Sequence, residues 1–318
     1  MATNLLFSFA GRKSYLIPLF RRVAGVGTLV AVDADPKANI RHYADRFHIA
    51  PLVTEAEAYI ARLVALVEEY GIHAVLPQND LELIPLAAAR SRFAARGARV
   101  MGVSAEIAGV LADKVKACQW LRMNGFASPG TRVWDGVPPE DWPVVVKARS
   151  GQASQGLAIC HRPEDLHGLH GDLVLQDFVA GDEYNLDILA TAAGHVVAVV
   201  PKKKIAMYQG STDKAVGVHS RDMIELGVAL GEALGHLGSV DVDLILGPDG
   251  PAIIDINPRI GGGFPYTAVY CPRYLTALTA ICRGEEPRPF LGEFTAGLEV
   301  HRELRFIPLS HRERPHHE

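Results

Sequence analysis

Apolar and polar positions along this 318-residue chain fall into two regimes. In the first, short apolar runs alternate with stretches of helical period. Residues 4 to 10 read as a buried strand ended by Gly11, followed by a helix from about Lys13 to Val23. Thr28 to Val32 reads as a second buried strand running into Asp33-Ala34-Asp35-Pro36. From about Glu55 to Tyr70, Ile60, Leu63, Val64 and Val67 share one helical face. A strand at His73 to Pro77, a helix at Leu81 to Arg96 and a strand at Arg99 to Val103 follow. Strands alternating with helices predict a doubly wound, parallel α/β sheet. The first turn, Ala10-Gly11-Arg12-Lys13-Ser14, lacks the G-x-G-x-x-G spacing that lets a backbone approach a pyrophosphate. Loops at the carboxyl ends of such strands still form a crevice, and Arg12, Asp33 and Asn79-Asp80 would point into it. Helix capping and turn formation explain each of them equally well.

The second regime begins with a helix from about Ala105 to Met123, in which Lys114 reads as a solvated lysine. After a breaker-rich loop at Gly125 to Thr131, Trp142 to Lys147 is a buried strand ending in a lysine. It runs into Ala148 to Gly156, a small, polar, Gly-containing loop of the kind that presents backbone N–H groups to phosphate. It is not a G-x-x-x-x-G-K-[ST] loop, and a flexible hairpin loop is the plainer reading of its composition. Leu173 to Val179 is another strand, followed by Gly181 to Asp187 and a hairpin turning at Ala193-Gly194. Gln176 to Val179 could frame an adenine, with Glu183 on the ribose hydroxyls. Lys202-Lys203-Lys204 could face phosphates, although a charge run is ordinarily just solvated. Tyr208 to Lys214 reads as a loop, Ser220 to Leu237 as an amphipathic helix and Thr267 to Cys282 as a closing helix.

The stretch Ser239 to Gly263, SVDVDLILGPDGPAIIDINPRIGGG, carries the strongest pattern. Two alternating, β-branched runs flank the turn Gly247-Pro248-Asp249-Gly250. If the hairpin folds symmetrically about Asp249, Asp243 lies across from Asp255, with side chains about 5 Å apart. Two carboxylates that close repel unless one is protonated or a cation lies between them. Asn257 shares the face of Asp255, and Arg259 follows at the strand's end. Two carboxylates and an amide form a hard, oxygen-only set suited to Mg²⁺ (or Mn²⁺) bound with phosphates. The arginine suits a developing phosphoryl or acyl-phosphate charge. A polar hairpin facing water is the bland alternative. Against it stand the apolar neighbours Leu244, Ile245, Ile253, Ile254 and Ile256, among which unpaired acids are costly. Gly261-Gly262-Gly263 leaves room for backbone near a ligand, or is simply a flexible turn.

Composition narrows the class. At 48% hydrophobic, 21% charged and net −4, the chain offers no surface for a polyanion, so nucleic acid is not expected as a partner. No apolar run approaches the roughly 20 residues that span a bilayer, and the start reads as a buried strand rather than a leader. Cys118, Cys160, Cys271 and Cys282 show no ligand spacing and fit reduced core thiols in the cytoplasm. No internal repeat is present, and residues 312–318 are expected as a mobile tail.

Taken in order, FSFAGRKSYL, the lysines at 114 and 147, the Gly-containing loop, QDFVAGDEY, GSTDK and VDVDLIL…IDINPRIGGGFP resemble the ATP-grasp superfamily. The resemblance is to its carbamoyl-phosphate-synthetase-like members. It implies an N-terminal Rossmann-like domain (1–104), a linker helix and α+β lid (105–180) and a catalytic subdomain with a central antiparallel sheet (181–311). It implies that Lys114 and Lys147 contact nucleotide phosphates and that Ser150, Gly151, Ser154 and Gly156 cover them. Gln176, Phe178 and Val179 would frame adenine, and Glu183 would take the ribose. Asp243, Asp255 and Asn257 would hold the metal, and Arg259, with Lys147, would serve the transferred phosphoryl group. Arg12, Lys203, Gly262 and Gly263 would line the second-substrate site, and the two arginines favour an anionic substrate. The implied reaction activates a small carboxylate as an acyl phosphate with ATP and couples it to an amine. Catalysis then rests on positioning and charge neutralisation, which needs no protein nucleophile. A kinase-like enzyme, a ligase with a non-amine nucleophile and a non-catalytic nucleotide-binding protein are the competing readings. Tyr208 and Ser211 depart from the family pattern, which bears on substrate identity rather than on ATP. The chain has no glutaminase segment and no second ATP-grasp half, so carbamoyl-phosphate synthesis is not implied. A homodimer is the prior for assembly.

Overall fold

In the computed structural model, residues 2–11, 13–151, 157–303 and 306 are described. The N-terminal part runs β1 (Thr3–Ser8), α1 (Leu16–Arg21), β2 (Val26–Asp33), β3 (Arg46–Ile49), α2 (Ala56–Tyr70), β4 (Ala74–Pro77), α3 (Leu83–Ala88), α4 (Arg90–Ala94) and β5 (Arg99–Val100). The five strands form a parallel sheet in the order β3-β2-β1-β4-β5, as the alternating pattern predicts. The stripe Tyr59, Ile60, Leu63, Val64 and Val67 of α2 is buried against Leu6, Val30, Val32 and Val75. Full burial of each such aliphatic side chain contributes about 1.5–3 kcal/mol. Gly71 closes this helix in the left-handed region (φ 55°), where other residues are strained. The edge strand β3, too short to carry a clear alternation, is not visible in the hydrophobic pattern.

Two linking helices follow, α5 (Ala105–Leu111) and α6 (Lys114–Met123). The single helix expected over 105–123 is broken because Asp113 turns out of helical geometry and caps α6, accepting from Val115 N and Lys116 N. Next comes a four-stranded antiparallel sheet, made of β6 (Thr131–Val133), β7 (Val144–Ala148), β8 (Ala158–Cys160) and β9 (Leu173–Asp177) in the order β6-β9-β7-β8.

The largest sheet contains β10 (Asp182–Ala190), β11 (Val196–Tyr208), β12 (Ser211–Gly217), β13 (Gly238–Gly247), β14 (Gly250–Asn257) and β15 (Glu299–His301). Their order is β14-β13-β10-β11-β12-β15, all antiparallel. One face is apolar (Leu186, Ile188, Val199, Val240, Val242 and Ile256) and packs on α7 (Arg221–Leu234). Helices α8 (Phe264–Tyr270) and α9 (Pro272–Arg283) pack near α1 and β1 and join the sheets through one core. The closing helix expected over 267–282 is two, separated at Cys271-Pro272, because proline cannot donate to the preceding turn. Tyr208 to Lys214, expected as a loop, is the end of one strand, a two-residue turn and the start of another. Gln209 and Gly210 take positive φ (49° and 72°), the turn geometry that suits strand twist.

Candidate active site

The hairpin β13–β14 does place Asp243 across from Asp255, by a route the sequence does not show. Its turn pairs Gly247 with Gly250, so the ladder starts one residue tighter than a loop centred on Asp249. Leu244 then faces Ile253 and Asp243 faces Asp255, which leaves Ile254 as a one-residue bulge. Without that bulge Asp255 and Asn257 would rotate onto the apolar face that Ile256 now occupies, and Ile256 onto the polar one. The bulged carbonyl of Ile254 accepts from Lys147 Nζ at 3.2 Å. One distortion thus aims two expected metal ligands and anchors an expected phosphate lysine.

The polar face of the sheet carries a connected set of side chains. Asn185 Nδ2 donates to Asp243 (2.8 Å) and to Asp241 (2.7 Å). Asn257 Nδ2 donates to Asp241 (3.2 Å), which turns its Oδ1 toward Arg259 Nη2 (3.0 Å). Gly261 is required at its position, since a Cβ there would lie 2.1 Å from the Asp241 carboxylate. Burial, then the Asp243 and Asp187 charges, raises the Asp241 carboxyl above the usual range. Burial also pushes Asp243 up, but Lys204, at 2.8 Å, outweighs it and holds that carboxyl below the usual range. Lys204 bonds Glu183 as well (2.5 Å), and these two acids overcome burial to raise its own pKa. Lys202 is enclosed with Asp187 (2.5 Å) and Thr267 (2.7 Å).

Arg259 is buried at the strand end. Its Nε and Nη2 reach Asp80 (2.6 and 3.3 Å), from the opposite side of a cleft of about 950 Å³. Lys13, Asp33, Asp35 and Gln78 line the N-terminal side of that cleft. Lys114, Ser150, Gly151, Asp255 and Asn257 line the other. Lys114 Nζ donates to Gly151 O (3.2 Å). Burial, followed by the Lys114 charge, depresses the Lys147 amine against the opposing pull of Asp255.

The expected adenine wall is only partly presented. The Gln176 side chain is buried and donates to Thr131 Oγ1 (2.8 Å), so it is not free to meet a base. Phe178 is exposed, and Val179 packs at Gly247. Gly262 and Gly263 leave open space, with no atom within 3.7 Å of a Cβ built at either. Lys203 is a correction: alternation along β11 turns it away from Lys202 and Lys204, and it pairs with Asp182 (2.6 Å) outside the cleft. Arg12, Ser154 and Gly156 lie outside the described residues, as do residues 312–318. Asp241, Asn185 and Lys13 were not read from the sequence as site residues, and Asp80 and Lys204 were read there without these partners. Asp241 had a signal, since it sits two residues before Asp243 on the same strand face.

The donor set fits a divalent cation carried with phosphates. Among the described residues no three His, Cys, Asp or Glu cluster as metal ligands, so two carboxylates and an amide would leave the other positions to phosphate and water. Asp255 accepts no hydrogen bond among the described residues, and burial raises its carboxyl, a cost that a cation would relieve.

A parallel-sheet domain, a large antiparallel sheet with an acid-bearing hairpin and a small four-stranded sheet tied to that hairpin by Lys147 make up an α/β fold of three sheets. Residues 111–263 match the ATP-grasp domain, and residues 5–101 match the PylC-like N-terminal domain. The chain thus carries an ATP-grasp domain behind a PylC-like N-terminal domain. It is 27% identical over 289 residues to the 3-methyl-D-ornithine–L-lysine ligase of Methanosarcina barkeri, covering 88% of this chain and 70% of that one. The enzyme of the same name from Methanosarcina acetivorans is 28% identical over 246 residues, covering 76% and 62%. The chain therefore spans about two thirds of the length of these relatives. An L-amino acid ligase from Bacillus licheniformis has the same fold (TM-score 0.70, 17% identity, 93% of this chain and 78% of that one). So does the biotin carboxylase domain of the Hydrogenobacter thermophilus 2-oxoglutarate carboxylase, solved with MgADP and bicarbonate (TM-score 0.69, 16% identity, 94% and 73%). No helix among the described residues is long and apolar enough to cross a membrane.

Proposed function

We propose that this protein is an ATP-dependent ligase that activates a small carboxylate as an acyl phosphate and couples it to an amine, releasing ADP and phosphate. The observation that carries the reading is the bulged hairpin, which faces Asp243 with Asp255, puts Asp255 and Asn257 on the wall of the cleft and leaves Arg259 bonded to Asn257 and to Asp80. Bound Mg²⁺·ATP would supply the phosphoryl group and neutralise the charge of its transfer, with Mn²⁺ able to replace Mg²⁺. Asp243, Asp255 and Asn257 hold the cation in this reading. Lys147, Lys114 and the loop from Ser150 hold phosphate oxygens. The backbone of Gln176 to Val179 frames adenine, and Glu183 takes the ribose. Arg259, fixed by Asp80, faces the transferred group and the acyl phosphate. Residues 1–104, 105–180 and 181–311 serve as N-terminal, lid and catalytic parts. The named substrates of the archaeal relatives, 3-methyl-D-ornithine and L-lysine, make amino acids the class to try first on both sides of the bond. Four buried free thiols suit work in the cytoplasm.

The test is ADP release with Mg²⁺ and ATP across pooled amino acids and small carboxylates, with Asp255→Asn as the blank. Release that needs both a carboxylate and an amine is expected. Release that needs only one hydroxyl or carboxylate compound, and yields a stable phosphorylated product, would replace the ligase by a kinase.

A further inference from the structure

Amide formation from an acyl phosphate has a proton problem that the hairpin does not solve. An amine is an ammonium ion at neutral pH and must lose a proton before its lone pair can attack. Asp243 is held by Lys204 and Asn185, and the mechanism above commits Asp255 to the metal. Among the described residues, two basic side chains that line the cleft, Lys13 and Lys37, have no ion-pair partner and no role so far, and of these Lys37 is exposed on the loop after β2 whereas Lys13 is drawn into the wall. Lys13 follows the β1 turn and lines the cleft, and among the described residues its Nζ donates only to the Ile260 carbonyl, at 2.7 Å. That carbonyl belongs to the residue after Arg259, so the amine sits beside the guanidinium assigned to the acyl phosphate.

We infer that Lys13 is the general base that takes the proton from the attacking ammonium. The inference rests on the ligase reading above. An ammonium beside a buried guanidinium, with no carboxylate in contact, is the costlier form. Burial and then the Arg259 charge lower the Lys13 pKa well below its ordinary value, against weaker opposing pulls from Asp80, Asp241 and Glu82. Those four groups are the charges that act on Lys13 among the described residues, and Asp33, Asp35 and Lys37 share its side of the cleft. Asp80 is already engaged by Arg259, and Glu82 is enclosed by Tyr59 Oη and the Gln78 and Asn79 amides.

The step balances. The substrate ammonium gives one proton to Lys13 Nζ and becomes an amine. Its nitrogen lone pair forms the C–N bond at the acyl carbon, and the C–O bond to phosphate breaks with its electron pair on the phosphate. The second nitrogen proton leaves with that phosphate, and Lys13 returns its proton to water.

Two measurements test this. In protein labelled with ¹³C at lysine Cε, the resonance missing from Lys13→Met should titrate clearly below the other lysines. Titration at or above them overturns the assignment, whatever the substrate. The second uses ATP, Mg²⁺, D-ornithine, L-lysine and pooled protein amino acids, with and without hydroxylamine, which is uncharged at neutral pH. Lys13→Met and Lys13→Arg should both lose amide formation at least about 100-fold at pH 7 yet keep ATP-dependent hydroxamate formation. Their residual amide rate should rise about tenfold per pH unit as free amine accumulates. Arginine keeps the charge and the donor but cannot accept a proton, so rescue by Lys13→Arg overturns the inference. Loss of hydroxamate together with amide makes Lys13 a binding or activation residue and also overturns it. Hydroxamate from the wild type with no amide from any amine points to a non-amine nucleophile and removes the need for a base. No hydroxamate and no amide from the wild type defeats the ligase reading and this inference with it.

Discussion

One wall of the cleft is built on the hairpin β13–β14, whose side chains alternate along about twenty consecutive residues, together with α5, the start of α6 and Ser150 and Gly151 after β7. The facing wall comes from three separate loops, after β1, β2 and β4, which contribute Gly11 and Lys13, Asp33 to Asn39, and Gln78 to Leu81. The hairpin wall concentrates acids that want a cation: Asp241, Asp243 and Asp255. The loop wall meets it through two contacts, Asp80 on Arg259 and Lys13 on the Ile260 carbonyl, which span 179 and 247 residues of sequence. The first wall holds charge in readiness for a ligand, and the second fixes where the reactive end of that charge points. Substitutions on the two walls should therefore fail differently.

The largest effect is expected from Asp255→Asn. Removing a metal carboxylate should lower ADP release on the order of 10³-fold, a loss of several kcal/mol in transition-state stabilisation. The fold should gain rather than lose. Burial raises the Asp255 carboxyl in the folded state, so ionising it costs stability at neutral pH. That cost grows as pH rises from the unfolded pKa to the raised folded pKa, is complete above it, and is absent below the unfolded value, where both states are protonated. Thermal melts should show Asp255→Asn with the higher Tm at pH 7 and no difference in acid. A lower Tm at pH 7 would mean that Asp255 is a structural acid.

The two walls also differ in how far they could be read before the fold was known. The parallel sheet, the hairpin and the facing of Asp243 with Asp255 were all legible, because period-two alternation and a Gly-Pro-Asp-Gly turn are local signals. The bulge at Ile254 was not, since no glycine or proline marks it and its effect happens to match a symmetric loop. Nor was the choice among Lys202, Lys203 and Lys204, because a uniform run carries no phase. The phase comes from pairing with β10, which sets Lys202 against Asn185 and Lys203 against Tyr184. Lys13 and Asp80 were beyond reach as partners of Ile260 and Arg259, because distance in sequence hides such contacts. The helix breaks at Asp113 and Cys271 had local signals, an N-cap acid and a Cys-Pro step, that the longer apolar pattern masked.

Asp80→Ala breaks the link between the walls. It leaves the Arg259 guanidinium buried without its acid, and because Asp80 is itself about one quarter exposed, roughly 2 kcal/mol of stability should be lost rather than the full cost of a buried pair. Turnover should fall about 10- to 100-fold through a lower kcat, with ATP binding little changed. Urea unfolding and steady-state kinetics separate the two effects. If ATP affinity fell as much as kcat, the loop wall would be part of the nucleotide site and the division of labour drawn above would be wrong.

Lys204→Met acts on the hairpin wall alone. Lys204 ties Glu183, assigned to ribose, to Asp243, assigned to the metal. Its loss should raise the nucleotide Kd about tenfold, with a smaller change in kcat. The effect should depend on Mg²⁺, because Asp243 would lose the cation that holds its carboxyl low. Calorimetry of ADP with and without Mg²⁺ reads this directly, and an equal loss in both conditions would confine Lys204 to the ribose end.

Lys203→Ala should do least, and it sharpens the rest. The residue adjoins Lys204 in sequence and carries the same charge, but it points away from the cleft to an exposed Asp182. Exposed pairs of this kind contribute little and are screened by salt. Tm, nucleotide affinity and turnover should all match the wild type. If Lys203→Ala weakened nucleotide binding as Lys204→Met does, the general positive charge of β11 would be what matters. The geometric argument, in which one residue's step along a strand moves a lysine from the phosphate side to solvent, would then fail.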